Sequence, residues 1–231
     1  MMSRHNPLST YIYRKLLPQL WQDRIDVVRG ESQVFRPCFQ ETKSIFIHIP
    51  KAAGTSIARA IYYQNVGHRK ASDYIRVSKR EYNQYYRFSF TRNPWDRLVS
   101  AYNFVKQGGT DLVQPLPNPA YQSSVFADFK TFVIEWLPYA DLSKEDVVFE
   151  PQFEYIYDSA GNLQVDFVGR VENTAKDIAI IEQNLGIKIE LNTLNSSNRQ
   201  GRDYRREYTD AMLEIVHNVY RKDIELFDYQ L

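Results

Sequence analysis

The sequence predicts a three-layer α/β protein, in which helices flank a central, mostly parallel sheet of about five strands. One observation is that short β-branched and aromatic runs, such as Ser44 to Ile49 (SIFIHI), have the composition of buried strands. A second is that these runs alternate with segments whose apolar residues recur at helical spacing. Strands that alternate with helices build parallel sheets covered on both faces.

The first predicted unit is a strand, a loop and a helix. Ser44 to Ile49 forms the strand, and Pro50 to Gly54 forms the loop. Thr55 and Ser56 open the helix, which has Ile57, Ala60, Ile61 and Gln64 along one side.

A second unit of the same kind follows. Tyr85 to Thr91 (YYRFSFT) reads as a buried strand. Asn93 and Pro94 are typical of a helix start, with Asn at the N-cap and Pro at the first helical position. The apolar face of this helix contains Leu98, Tyr102 and Val105.

The rest of the chain alternates loops, helices and strands. Gly108 to Ser124 contains three prolines and two glycines and is predicted to be a loop. The remaining predicted elements, in order, are a helix at Phe126 to Trp136, a strand at Tyr155 to Asp158, a turn at Ser159 to Asn162, a strand at Leu163 to Val168, a helix that begins at Asn173 or Thr174 and ends at Gly186, a polar stretch from Leu194 to Arg206, and a last helix with Leu213, Val216 and Tyr220.

The composition fits one domain with an appendage. The chain has 231 residues, 43% of them hydrophobic and 25% charged, which favours a packed core. The net charge of +1 lacks the basic excess of a nucleic-acid binder, so any anion site must be local. One cysteine, Cys38, excludes a disulfide framework and a multi-cysteine metal site. We assign 1–43 to an N-terminal extension that packs on the core, and 44–231 to the main domain.

No run of 18 apolar residues occurs, and the N-terminus lacks the apolar centre of a secretory signal. We therefore expect a cytoplasmic protein without an integral membrane segment.

The first candidate site is the loop from Pro50 to Ser56 (PKAAGTS). Small residues allow backbone N–H groups to approach an anion, and the helix N-terminus carries partial positive charge. Lys51 adds a cation, and two hydroxyl groups follow it. An ordinary βα turn with a surface lysine is the alternative. The loop differs from that of nucleoside triphosphatases, because Lys51 precedes Gly54 by three positions instead of following the glycine.

The second candidate site follows the second strand. Arg92 stands where that strand ends, at the sheet edge where open α/β sheets bind ligands. Ser100 lies about two turns into the next helix. A guanidinium and a hydroxyl can bind a second phosphate. The alternatives are a salt bridge for Arg92 and a packing role for Ser100.

The motifs resemble those of the carbohydrate sulfotransferases of the Golgi and of bacteria, which use 3′-phosphoadenosine 5′-phosphosulfate (PAPS). Ile47 to Ile57 (IHIPKAAGTSI) resembles their 5′-phosphosulfate loop, and Phe88 to Tyr102 (FSFTRNPWDRLVSAY) their 3′-phosphate motif. The similarity continues through 152–156 (QFEYI), 166–173 (DFVGRVEN) and 220–229 (YRKDIELFDY), and spans roughly 44–229. It implies a P-loop-like fold.

The resemblance also implies roles. Lys51, Ala53, Gly54, Thr55 and Ser56 would bind the 5′-phosphosulfate, and Arg92 with Ser100 would bind the 3′-phosphate. Lys51 would also stabilise charge on the bridging oxygen as the sulfuryl group leaves. The transfer would be in-line, without a metal and without a covalent enzyme intermediate.

The general base of similar enzymes is a Glu or His after the first helix. We predict His68, whose ordinary pKa suits neutral pH. A surface or hydrogen-bonding role for His68 is the alternative. Asp73 and Glu81 are reserves, and His48 is assigned to the core.

A basic cluster near the C-terminus contains Arg199, Arg202, Arg205 and Arg206. It could close over the nucleotide or bind an acidic acceptor. For two of the four we expect only a solvated surface position. Tyr204 is placed near the nucleotide. Arg170 and Glu172 are predicted to form a buried pair that braces the sheet edge.

The predicted function is sulfuryl transfer from PAPS to an acceptor hydroxyl, on a glycan by resemblance. A protein tyrosine or a small metabolite is an open alternative for the acceptor. A kinase-like phosphotransferase and a non-catalytic nucleotide- or sulfated-ligand-binding module are the alternatives for the function.

Overall fold

The computed structural model describes residues 34–110, 114–115, 118–191 and 203–231. Their contacts form two compact units. We call Val34–Arg97, Pro151–Arg206 and Tyr220–Leu231 the sheet unit, and Leu98–Glu150 with Glu207–Val219 the helical unit. Within the described residues, no helix is long and apolar enough to cross a membrane.

The sheet unit contains a parallel sheet of three strands in the order β1-β2-β3. The strands are β1 (Ser44–Ile47), β2 (Tyr86–Thr91) and β3 (Phe167–Arg170). The predicted parallel α/β sheet is confirmed, but the count of about five strands is wrong for the described part of the chain. The sheet keeps Phe46 opposite Phe88 in the β1–β2 register.

The α-helices of the described chain are α1 (Pro37–Thr42), α2 (Gly54–Tyr62), α3 (Ala71–Tyr82), α4 (Pro94–Lys106), α5 (Phe129–Thr131), α6 (Phe153–Ile156), α7 (Thr174–Leu185), α8 (Asp210–Val219) and α9 (Arg221–Leu226). Helices α2, α4 and α7 begin within two residues of the predicted starts, and Gly186 ends α7 with a left-handed φ of 68°. Helix α3 was not predicted.

The predicted strand at Tyr155 to Asp158 is wrong. Its first part is helix α6, and Tyr157 forms only an isolated antiparallel bridge with Leu163. The helical turn is favoured because the buried Asp223 carboxylate accepts the N–H groups of Gln152 and Phe153, both at 2.8 Å. The turn at Ser159 to Asn162 is confirmed, and pairing in the following strand begins only at Phe167.

The core of the sheet unit lies between the strands and helices α1, α2, α3 and α7. Phe39 of α1 has no exposed surface and packs in this core with Ile45 and Phe88. Cys38 and Phe39 thus lie in this core. The first 33 residues of the predicted extension lie outside the described residues, and the division at 43/44 stays a prediction.

The helical unit contains the part of α4 from Leu98 onward, together with α5 and α8. The predicted helix at Phe126 to Trp136 is α-helical only at Phe129–Thr131, and its last five residues, Phe132–Trp136, form a π-helix. Aromatic rings fill the core of this unit, with Phe126, Phe132 and Phe149 in mutual contact. In the predicted loop, Pro119–Gln122 forms a 3-10 turn.

Candidate active site at the end of the first strand

The loop after β1 contains two residues in the left-handed conformation. Lys51 has a φ of 65° and Ala53 a φ of 58°, and both are unusual for residues with a side chain. Such backbone strain costs on the order of 1 kcal/mol or more per residue, and it concentrates at ligand sites. Helix α2 follows directly. Its N-cap residue is Ala53, so no N-cap side chain accepts a hydrogen bond from the helix N-terminus.

The start of α2 offers N–H groups to an anion. Helix geometry leaves the first N–H groups without a carbonyl partner inside the helix. The Ser56 N–H is bonded to the Ala53 carbonyl at 3.2 Å, whereas the N–H groups of Gly54 and Thr55 bind no backbone carbonyl among the described residues. With the helix dipole, these donors suit a phosphate or sulfate.

The side chain of His48 lies beside position 54 and leaves room there only for glycine. The sequence did not show that these two residues are neighbours. A Cβ atom at position 54 would lie 1.8 Å from Cδ2 of His48. We expected a small residue here because it lets an anion approach the backbone. The structure adds a steric reason, which is that the His48 imidazole occupies the space beside Gly54.

Arg92 holds the loop from the end of β2. Its side chain is only 3% exposed, and its Nη1 donates to the Lys51 carbonyl at 3.2 Å. Its Nε and Nη2 bind the two carboxylate oxygens of Asp96 at 2.6 and 2.5 Å. The salt bridge that we considered as an alternative is therefore present, and the same guanidinium also contacts the predicted phosphate loop.

Arg97 holds the neighbouring carbonyl. Its side chain is 2% exposed, and its Nε donates to the Pro50 carbonyl at 3.0 Å. Two buried arginines, one just after β2 and one in the first turn of α4, therefore anchor consecutive carbonyls of the loop. The sequence reasoning missed Arg97; the signal was a second arginine in the motif that contains Arg92.

A buried amide connects Arg92 to the C-terminal segment. The side chain of Gln152 accepts from the Arg92 N–H at 2.9 Å and donates to the Arg92 carbonyl at 2.8 Å. The Gln152 N–H is bonded to Asp223. Two segments that carry the resemblance, 152–156 and 220–229, therefore converge on Arg92, the residue that follows β2.

Asp223 is fully buried. Burial raises the pKa of its carboxyl to about 6, although the Arg97 guanidinium and two backbone N–H donors act in the opposite direction. The Arg97 guanidinium thus acts electrostatically on a buried carboxyl group that also caps α6.

The predicted pair of Arg170 and Glu172 is wrong, because both side chains bind other groups. Arg170 bonds the Phe227 carbonyl, and its guanidinium lies 4.9 Å from the Tyr229 ring centre. Glu172 is exposed and accepts from the Asn93 N–H at 2.7 Å and from the Tyr229 hydroxyl at 3.2 Å. Tyr229 thus stands between the two residues.

His68 is bound to the residue that follows β1. Its Nδ1 lies 3.0 Å from the carbonyl oxygen of His48. A carbonyl only accepts, so Nδ1 carries the hydrogen, and Nε2 is the basic nitrogen of the neutral ring. The structure therefore leaves His68 in the tautomer that a general base acting through Nε2 needs.

His48 is buried, as predicted. Burial holds its pKa well below 6.5, and the neighbouring His68 lowers it further. The two imidazole centres are 4.1 Å apart, with the rings inclined at 49°. His48 is therefore neutral at physiological pH and in contact with the predicted base.

Asp73, a reserve for the base, has a structural role. Its carboxylate accepts from the Lys70 N–H at 2.9 Å and from Arg76 at 3.4 Å, which caps the start of α3. The other reserve, Glu81, lies in the last turn of α3, where its N–H is bonded to Ser78.

The remaining predicted site residues lie in other parts of the sequence. Ser100 lies on α4 within the helical unit. Tyr204 is half-buried; burial raises its pKa, Arg205 opposes this, and the nearby Asp96 carboxylate adds to it. Arg205 and Arg206 are exposed, and Arg199 and Arg202 lie outside the described residues. The roles of all these residues stay predictions.

Comparison with known proteins assigns the family. The sequence model of the sulfotransferase family matches residues 39–230. The chain belongs to the sulfotransferase family. The match includes all three strands and both loops that carry the candidate residues, and it supports sulfuryl transfer in general.

One curated relative of this sulfotransferase is an uncharacterized protein of Archaeoglobus fulgidus. It is 29% identical over 119 residues, which are 50% of this chain and 80% of the relative. No solved structure matches the chain.

Proposed function

We propose that this protein transfers a sulfuryl group from PAPS to an acceptor hydroxyl. The observation that carries the proposal is the position of His48, whose ring contacts Gly54 of the predicted phosphosulfate loop and His68, the predicted base. Direct transfer between two bound substrates requires the donor-binding loop and the general base to be held close together, and both contact His48.

The donor would bind at the N-terminus of α2. The N–H groups of Gly54 and Thr55 and the hydroxyls of Thr55 and Ser56 would bind the 5′-phosphosulfate, with Lys51 and Ala53 shaping the loop. Lys51 would neutralise negative charge on the bridging oxygen as the bond to sulfur breaks.

The acceptor step balances without a further reactant. The acceptor oxygen attacks sulfur in line with the bridging oxygen, a new O–S bond forms, and the old one breaks. The acceptor proton passes to Nε2 of His68, and 3′-phosphoadenosine 5′-phosphate leaves with the bridging oxygen. These steps need no metal and no covalent enzyme intermediate.

Arg92 and Ser100 would bind the 3′-phosphate. A guanidinium has five N–H groups, and Arg92 uses three of them on Asp96 and Lys51. Two remain for a phosphate. Asp96 holds the planar group in one orientation, which suits bidentate recognition of an anion.

The acceptor is proposed to be a carbohydrate on the strength of the sequence motifs. Tyrosine peptides and small alcohols belong in the same test. A panel of glycans, tyrosine peptides and alcohols, each incubated with labelled PAPS, assigns the acceptor class by which product becomes labelled.

Thermal unfolding with nucleotides tests the donor site. We expect 3′-phosphoadenosine 5′-phosphate to raise the Tm of the parent protein, and ATP with Mg²⁺ to leave it unchanged. Lys51→Ala should lose most of the rise, whereas Lys144→Ala, a control at an exposed lysine, should keep it. Stabilisation by ATP with Mg²⁺ alone would favour a kinase-like phosphotransferase, and stabilisation without any transfer would favour a binding module.

A further inference from the structure

His48 lies between two parts of the site. On one side, its ring leaves no room for a Cβ at Gly54, the first residue of α2. On another, its ring is 4.1 Å from the His68 ring, and its carbonyl binds the Nδ1 of His68. The side chain is 2% exposed and stacks on Phe46, with 5.5 Å between ring centres.

The imidazole is a costly choice for this position. Its Nδ1 is buried and has no hydrogen-bond partner within the described part of the chain. A buried polar atom without a partner destabilises the folded protein. An apolar side chain of similar volume would fill the same space without that penalty, but it would lose the hydrogen bond between the imidazole and the Gly67 backbone. This bond ties His48 to the residue directly before His68, so the imidazole is held against the segment that carries the predicted base.

We propose that His48 is a positioning residue for sulfuryl transfer. Its carbonyl fixes the Nδ1–H tautomer of His68, and its ring fixes how far His68 stands from the phosphosulfate loop at Gly54. The inference rests on the proposed function, because the distance that matters is the one between the base and the donor. It adds a residue that we first assigned to the core alone.

The consequence for the chemistry is geometric. A general base must stand within hydrogen-bond reach of the acceptor proton while the acceptor oxygen is in line with the leaving oxygen. The loop with left-handed Lys51 and Ala53 fixes where the donor binds. His48 then fixes the position of His68 relative to that loop. Displacement of the base by about 1 Å can lower a rate by about 100-fold.

The first test reads the tautomer directly. Side-chain nitrogen NMR of the parent protein, with His68→Gln used for assignment, should show neutral His68 hydrogenated at Nδ1. His48→Leu keeps the backbone carbonyl at position 48, so neutral His68 should stay hydrogenated at Nδ1 in this variant, and any fall in rate then reports on the lost imidazole ring. His217→Leu, a matched change at an exposed histidine, should leave the His68 signals unchanged. A parent protein with His68 hydrogenated at Nε2 overturns the inference, whether or not any variant folds.

The second test separates positioning from folding. His48→Leu should keep the parent affinity for 3′-phosphoadenosine 5′-phosphate within about twofold, and should lower kcat by about 10- to 100-fold. His217→Leu should keep the parent kcat. Parent-like kcat in folded His48→Leu overturns the inference. If the parent protein transfers nothing from PAPS, the proposed function fails instead, and the NMR experiment still decides whether His48 fixes His68.

Discussion

The buried guanidinium of Arg97 donates from Nε to the carbonyl oxygen of Pro50, at 3.0 Å. One residue on, the carbonyl of Lys51 accepts from Arg92 at 3.2 Å. The shape of the predicted phosphosulfate loop therefore depends on the start of α4 as well as on its own sequence. The two motifs that carry the family resemblance form one physical unit.

Replacement of Arg97 by methionine tests this dependence. Arg97→Met keeps most of the volume but removes the guanidinium that favours the ionised form of the buried Asp223 carboxyl and donates to the Pro50 carbonyl. We expect the free energy of unfolding to fall by about 3 kcal/mol, since a buried carboxyl loses the cation that acts on it. Urea denaturation measures the loss, and Arg205→Met, at an exposed arginine, is the control.

A second change should restore part of that stability. In Arg97→Met with Asp223→Asn, the buried negative charge is gone, so the double variant should be more stable than Arg97→Met alone. If the two losses simply add, Arg97 and Asp223 do not act on each other in the folded protein.

Gly54→Ala tests the contact with His48. The new methyl group would start 1.8 Å from the imidazole, so the ring or the helix must move. We expect a loss of about 1–3 kcal/mol in the free energy of unfolding, as for an overpacked core. Adding His48→Ala to the same chain should relieve the overlap and recover part of the loss. No recovery in the double variant would mean that the penalty at position 54 comes from elsewhere.

Gln152→Leu tests the link between the C-terminal segment and β2. The amide makes two hydrogen bonds to the backbone of Arg92, and it is fully buried. Its loss leaves a buried N–H and carbonyl of Arg92 without those partners. We expect about 2–4 kcal/mol less stability, measured by urea denaturation, from two unsatisfied groups. Gln122→Leu, at an exposed glutamine, should change stability by far less.

The pH dependence of stability reports on His48. Its folded pKa lies well below 6.5, the value for the unfolded chain. As the pH falls below 6.5, the unfolded chain therefore binds a proton that the folded protein does not, and the folded state loses stability. The contribution approaches about 1.4 kcal/mol per pH unit.

Comparison with His48→Leu isolates that contribution. Urea denaturation at several pH values below 6.5 should show a shallower loss of stability in His48→Leu than in the parent protein. The pKa of Asp223 is raised to about 6, so its contribution to stability is lost as the pH rises toward that value. This contribution is the same in both proteins. Identical pH profiles would show that His48 is protonated as easily in the folded protein as in the unfolded chain.

Local sequence patterns were enough for much of the sheet unit. β1, β2 and the start of α4 were predictable because short apolar runs and an Asn-Pro N-terminus act within a few residues. The position of His68, the predicted base, just after α2 could also be read from the sequence. Its tautomer could not, because that depends on the carbonyl of His48, 20 residues earlier.

The errors have long-range causes. Helix α6 was taken for a strand because its apolar residues gave no sign that Asp223, 70 residues later than Phe153, caps its N–H groups. Arg97 was overlooked because its partner, the Pro50 carbonyl, belongs to a different element. A small residue at position 54 was predicted, but the steric need for glycine became visible only when His48 was placed beside it.

Transfer of labelled sulfuryl from PAPS tests the central claim most directly. We expect the parent protein to label at least one acceptor of the panel and to release 3′-phosphoadenosine 5′-phosphate in equal amount. His68→Ala should still bind that nucleotide but transfer at least about 100-fold more slowly, as expected when a general base is removed. An unchanged rate in His68→Ala would remove that residue from the mechanism. Absence of transfer from PAPS by the parent protein to any hydroxyl acceptor, with labelling from ATP instead, would contradict the account.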